Sequence, residues 1–299
     1  MQGSEREREA GVRAEHALPL RVWRSLELAF LRWILWRRWV VARAAPFGLK
    51  VRGRPEDRIE RHIFRFGCHD RALTRFVLTH LRLDQGDVAI DIGANLGWFT
   101  LLLARLARPD ADVIACEPDP ENFDLLRQNL KMNDAEWVIA LRVALGEAAG
   151  SIQLHRYKSS NSGRHSVLQL GASSDPGITV PLTTIEALWA RHDFGNRRLR
   201  FLKIDVEGYE AFVLRGAGPQ LLRRCEILSL EYSVDAMRTA GIDPATVIDQ
   251  LAACGMTLLI WSECTLRPIT AAGLQRISRQ CDLICAMPSM ADGLAGHYG

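Results

Sequence analysis

Beyond about residue 55, apolar runs of strand length alternate with amphipathic stretches of helix length. The spacing of Ala72, Leu73, Phe76, Val77 and Leu81 predicts a helix over 70–83, closed by the turn Asp84-Gln85-Gly86. Strands are then expected at 88–92, 112–117 and 137–143, with helices at 98–107 and 119–131 between them. A strand at 151–156 leads into 158–177, a Ser-, Gly- and Asn-rich stretch expected to be a long loop of the functional kind. Alternation resumes with a helix at 184–193, a strand at 200–205, a short helix after Gly208, a strand at 226–231 and a helix at 244–254. Two strands follow at 256–261 and 282–287, and no internal repeat is visible. The pattern predicts an α/β fold, a doubly wound, seven-stranded, mostly parallel and Rossmann-like sheet, with the last pair forming an antiparallel hairpin. Ligands of such sheets bind beyond the carboxyl ends of the strands.

The stretch LRVWRSLELAFLRWILWRRWVVARAA, residues 20–45, breaks this pattern, because Arg32, Arg37 and Arg38 interrupt an otherwise apolar run holding four tryptophans. Arginine near a bilayer centre costs a few kcal/mol, so the segment is not expected to span a membrane. On a helical wheel Trp33, Trp36, Phe30, Val40 and Val41 cluster opposite Arg24, Glu27, Arg32, Arg38 and Arg43. That suits a helix lying on an anionic membrane surface, although a helix packed on the domain or on a partner subunit fits too. The chain is expected to divide into a basic, Trp-rich N-terminal helical extension and linker, 1–55, and a catalytic domain, 56–299.

Composition sharpens that division. With 299 residues, 48% hydrophobic and 24% charged, the chain can bury a large core. Residues 1–54 carry 12 Arg or Lys against 5 acids, leaving 26 against 30 for the rest, so the net +3 hides a basic end. The first 19 residues lack the apolar core of a secretory signal. The seven cysteines show no zinc-site spacing, which points to reduced thiols, a cytoplasmic protein, peripheral at most at the inner membrane face, and no resident metal.

The densest chemistry lies in DVAIDIGANLGWFTLLLA, 87–104. Asp91 ends a strand, and Gly93 and Gly97 open the next helix, where a missing Cβ lets a ligand approach the backbone. A dinucleotide turn requires three glycines, but Asn95 and Trp98 occupy the second and third places. An acid here can meet an ammonium, and Glu117, ending the second strand, can accept both hydroxyls of a ribose. A ligand with an ammonium and a ribose but no pyrophosphate is S-adenosyl-L-methionine. The plainer alternative has Asp91 capping the helix and Glu117 solvated.

Together DIGANLGWFT, the acid of ACEPDPENFDLL, VALG and LKIDVEGYE resemble the FkbM family of S-adenosylmethionine-dependent methyltransferases, over about residues 60 to 287. The resemblance implies a class I methyltransferase fold and O-methylation of a hydroxyl on a sugar, glycan or lipid-linked saccharide, or on a polyketide-type natural product. It further implies that Asp91, Gly93, Ala94, Asn95 and Gly97 line the methionine end, Glu117 the ribose, and 143–145, with Ala144, the adenine. Ala144 stands where many relatives have an acid, leaving the adenine amine to backbone carbonyls or Glu147. Glu186 replaces the family's usual Asp, and His69 and Asp70 fall near a family acid.

The strand at 200–205 ends in Lys203, Asp205 and Glu207, with Glu210 following, and should face the same cleft from the acceptor side. Asp205 or Glu207 is expected to take the proton of the acceptor hydroxyl; the same pair binding a divalent cation is the alternative. His165, in the long loop, is a candidate second base, and Glu231 a candidate ligand for acceptor hydroxyls. Alternation sets Lys203 apart from its acidic neighbours, and Tyr209, Tyr232 and Trp261 could wall the pocket. A nicotinamide-dependent oxidoreductase lacks its glycines, and a non-catalytic cofactor-binding protein would not keep Asp91, Glu117 and Asp205 together. Nucleic acid is not expected as a partner, because no Asn-Pro-Pro-aromatic run ends the fourth strand.

Overall fold

The computed structural model describes residues 18–33, 39–44, 47–155, 177–277 and 280–298. Helix α1 (Leu18–Trp33) precedes an antiparallel hairpin, β1 (Val40–Ala44) and β2 (Leu49–Gly53), and helices α2 (Arg58–Phe66) and α3 (Arg71–His80). The alternating part runs β3 (Asp87–Ile92), α4 (Trp98–Leu106), β4 (Asp112–Cys116), α5 (Pro120–Met132) and β5 (Ile139–Leu141). It continues through β6 (Ala144–Leu145), β7 (Gly150–Leu154), β8 (Ile178–Thr183), α6 (Ile185–Arg191), β9 (Arg198–Ile204) and α7 (Glu210–Leu222). The chain closes with β10 (Cys225–Tyr232), α8 (Val234–Thr239), α9 (Pro244–Ala253), β11 (Thr257–Ser262), β12 (Thr265–Pro268), α10 (Ala271–Leu274), β13 (Cys281–Ala286), α11 (Pro288–Ala291) and β14 (Gly296–His297).

The main sheet has nine strands, not seven, in the order β14-β12-β11-β13-β10-β9-β3-β4-β5. Strands β5, β4, β3, β9 and β10 are parallel, which explains why β3 is buried throughout and reads as an apolar run. The expected antiparallel pairing of the last two strands is present, but β13 slots between β10 and β11, antiparallel to both. The hairpin partner of β11 is β12, which lies in the stretch expected only to join the two strands. The predicted strand near 151 forms as β7, but in a separate three-stranded sheet with β6 and β8.

Two more differences concern the N-terminal part. The wheel carries a helix to residue 45, yet Val40, Ala42 and Ala44 point inward and Val41 and Arg43 outward, a period of two that belongs to a strand. Part of the expected linker is strand β2, whose Leu49 and Val51 join the core. Helix α2, missed by periodicity, starts where the Asp57 side chain accepts the Ile59 N–H, and α5 starts the same way at Asp119 with Pro120 in its first turn. Among the described residues no helix is long and apolar enough to cross a membrane.

Successive strand residues feed opposite faces: Ala89, Val113 and Phe201 pack under α3, α4 and α5, while Val88, Ile114 and Leu202 pack under α6, α7 and α9. From β3 the chain winds outward to β4 and β5, then returns to place β9 on the other side of β3. The carboxyl ends of β3 and β9 therefore flank the switch in winding direction, where a crevice opens.

Candidate active site

A cleft of about 600 Å³ lies at this switch, lined on one side by Gly93, Ala94, Asn95, Glu117, Val143, Ala144, Leu145 and Leu154 and on the other by Asp70, Asp205, Glu207, Glu231, Gln280 and Asp282. The turn after β3 is held by backbone: the Gly93 and Ala94 N–H groups donate to the Cys116 carbonyl at 3.0 and 3.1 Å. Gly93 has φ +74°, and a Cβ there would stand 1.8 Å from the Asp205 carbonyl oxygen. Gly97 has φ +94°, and its Cβ would meet a Leu126 methyl at 2.5 Å. Both glycines are thus required by the close packing of the turn on its neighbours, a reason distinct from ligand approach.

Glu117 lines the cleft although it is nearly fully buried. One carboxylate oxygen accepts the Asn95 N–H at 2.8 Å and the other the Asp119 N–H at 2.9 Å. Each oxygen keeps a second lone pair. Burial pushes its pKa up to about 8 despite those two donors.

Asp91 is fully buried and stands behind the turn, not among the lining residues. Thr100 Oγ1 donates to its Oδ2 at 2.7 Å, and its Oδ1 has no hydrogen bond, only the Lys203 ammonium 3.5 Å away. Lys203 also donates to Asp205 Oδ2 at 3.0 Å, with Phe99 beneath its ammonium at 5.4 Å. Lys203 pairs in register with Asp91 on the neighbouring strand and lies two residues before Asp205, so alternation brings the three together. That corrects the expectation that set Lys203 apart. Burial disfavours its charge, but Asp205 and Asp91 outweigh burial and hold the lysine pKa above its ordinary value.

On the opposite wall of the cleft the Asp205 side chain is 44% exposed. Glu207 sits at φ +53°, a left-handed conformation that costs a non-glycine residue about 1–2 kcal/mol. Glu210 does not face the cleft: it is buried, and its Oε1 accepts the Val206 and Gly208 N–H groups at 3.2 and 3.0 Å, fixing the turn that carries Glu207. Glu231 accepts a hydrogen bond from Gln280 through Oε1, and its Oε2 is buried without a partner. Burial first, then Asp205 and Glu207, push the Glu231 carboxyl up to about 10. Burial, Asp70 and Asp205 raise Asp282 to about 7, and burial with His62 lowers His69 to about 4. Oxygens of Asp205, Glu207 and Glu231 lie within 4.8 Å of one another, a spacing that could hold a cation.

Residues 143–145 line the cleft as expected, but Glu147 pairs with Arg215 at 3.2 Å outside it. Of the three candidate wall aromatics only Tyr209 lines the cleft; the Tyr232 hydroxyl donates to the Pro244 carbonyl, and Trp261 packs on Phe76 and Tyr298. His165 lies outside the described residues. Sequence reasoning missed Asp282, Gln280 and Arg58. Asp282 begins an antiparallel strand and pairs in register with Glu231, so its amino end meets the carboxyl ends of the parallel strands. Only knowledge of that strand's direction could have found it.

A profile of the methyltransferase FkbM domain matches residues 91–256, more than half of the chain. Among similar proteins, methyltransferase sdnD of Sordaria araneosa is 29% identical over 184 residues, 53% of this chain and 67% of that protein. The hexuronic acid methyltransferase AglP of Haloferax volcanii is 28% identical over 169 residues, 56% of this chain and 63% of that protein. The chain thus spans about two thirds of the length of these relatives. A solved structure, methyltransferase FkbM from Methylobacillus flagellatus, superposes with a TM-score of 0.41 at 16% identity, covering 71% of this chain and 47% of that one. The chain belongs to the FkbM family of methyltransferases, whose cofactor is S-adenosylmethionine.

Proposed function

We propose that the protein methylates a hydroxyl of a sugar, glycan or lipid-linked saccharide. One observation carries this reading: a single cleft joins Glu117 and an apolar slot to the carboxylates of Asp205 and Glu207. The donor set fits the cofactor. Val143, Ala144, Leu145 and Leu154 offer an apolar slot for a purine, and Glu117 two free lone pairs for a diol. Gly93, Ala94 and Asn95 form the methionine end, with Gly97 letting the turn pack on Leu126 and Asp91 supporting it from behind. When bound, S-adenosylmethionine supplies a methyl group already activated on a sulfonium.

Positioning of the acceptor then accounts for much of the rate. Asp205, held on one oxygen by Lys203, orients the acceptor hydroxyl and takes its proton, with Glu207 as the alternative base. Glu231 and Gln280 line the same wall and supply further hydrogen-bonding groups for a polyol. His165 stays a candidate second base, tested by His165→Ala. The Haloferax relative, named for a hexuronic acid, supports a sugar acceptor over a polyketide-type one.

The test begins with calorimetric titration by S-adenosylhomocysteine of the wild type and of a Glu117→Ala variant, Glu117 being the acid that lines the cleft. Micromolar binding lost in the variant is expected. Methyl transfer from labelled S-adenosylmethionine to a panel of monosaccharides, uronic acids, lipid-linked sugars and phenolic polyketides follows. Transfer confined to phenols would sink the sugar reading, and no cofactor binding would sink the cofactor site.

A further inference from the structure

Six large hydrophobic side chains are exposed among the described residues, and four of them lie on α1. Val22, Trp23, Leu26 and Phe30 are 51, 66, 62 and 51% exposed, whereas Leu28 is buried against the body of the protein. At 100° per residue the four fall within about 100° of arc, on the opposite side of the helix from Leu28. The helix therefore uses one face to dock on its own domain and presents an apolar stripe outward. Val41, on the outward face of β1, adds a fifth exposed side chain in the same N-terminal part.

Charge identifies the occupant of that stripe. Residues 1–54 carry 12 basic against 5 acidic side chains, while the rest of the chain is net acidic. Two copies meeting here would bring like charges together. They would also bury too little: four half-exposed side chains offer on the order of 400 Å² per copy, about half of the ~800 Å² per partner in a stable dimer. A tryptophan and a phenylalanine on a basic segment instead match the interface of an anionic bilayer, where rings enter the headgroup layer and arginines meet phosphates.

We propose that the Val22-Trp23-Leu26-Phe30 face of α1 seats the protein on an anionic lipid surface, without crossing it. The inference is independent of the acceptor assigned above.

Flotation of the full chain with vesicles tests it, using phosphatidylcholine alone and phosphatidylcholine with about one third phosphatidylglycerol. Binding is expected only to the anionic vesicles, with release at about 1 M salt, where screening shortens to ~3 Å. Trp23→Ser with Phe30→Ser should lower the bound fraction by roughly tenfold or more, since both exposed rings of the apolar stripe are removed. The variant should bind S-adenosylhomocysteine as the wild type does, which shows that it is folded and separates this test from that of the cofactor site. Absence of flotation with anionic vesicles, equal binding to neutral ones, or undiminished binding by the variant overturns the proposal. So does a dimer in sedimentation equilibrium that the variant dissolves, which would assign the stripe to a second copy.

Discussion

The two halves of the cleft are built on different principles. On the side proposed for the cofactor the polar groups are engaged by the protein itself: Glu117 accepts two backbone N–H groups, and the β3 turn hangs on the Cys116 carbonyl. On the side proposed for the acceptor Asp70, Asp205, Glu207, Glu231 and Asp282 crowd one wall, and Glu231 keeps a buried oxygen without a partner. One half is preorganised for a single ligand; the other holds electrostatic tension that an acceptor or a proton relieves. Lys203 ties them together, touching Asp91 on one side and Asp205 on the other.

The most severe test of this contrast is Asp205→Asn. Loss of a general base is expected to slow methyl transfer by about 10²–10⁴-fold. Calorimetry should show S-adenosylhomocysteine affinity within a few fold of wild type, because Asp205 belongs to the acceptor half. Equal losses in both would erase the division.

Lys203→Met attacks the link itself. It leaves Asp91 buried without a counter-charge, and breaking such a pair costs about 3–5 kcal/mol, readable as a lowered denaturation midpoint. Adding Asp91→Asn should recover much of that loss. A double variant no more stable than the single one would show that the Asp91 charge is not what Lys203 balances.

A smaller effect separates the halves by pH. Glu117 titrates near 8, and only its carboxylate accepts two hydroxyls, so S-adenosylhomocysteine should bind more tightly as pH rises. Below that pKa the affinity is expected to fall by up to about tenfold per pH unit, and Glu117→Gln should flatten the profile. The sign for stability is opposite: the folded protein holds this proton between the ordinary value of 4.5 and about 8, so stability falls across that window as pH rises. Last, a strong chelator is expected to leave the rate unchanged. A loss restored by magnesium would move Asp205 and Glu207 from base to cation ligands.

Much of the wall proposed for the cofactor is legible from residue order, because its groups come from consecutive strand ends and the turns that follow them. Asp91 to Gly97, Glu117 and Ala144 are all local to such junctions. The acceptor half was half legible. Asp205 and Glu207 ride on one strand end, but Asp282 arrives on an antiparallel strand inserted between two others, and Gln280 comes with it. Alternation along one strand alone sets Lys203 apart from the acids, because the register that puts Asp91 beside it belongs to the neighbouring strand. The N-terminal part misled for the opposite reason: its high apolar content read as helix throughout, although the period of two at 40–44 was present.

Local order along the chain thus determined the family, the alternation of strands and helices and the glycine turn after β3, since each depends on residues close in sequence. Only the tertiary structure decided the nine-strand order, the burial of Asp91 behind its turn, the inward role of Glu210 and the outward stripe of α1. Those depend on which distant surfaces meet, and in this fold the meeting is governed by strand direction and register, which hydrophobic periodicity does not encode.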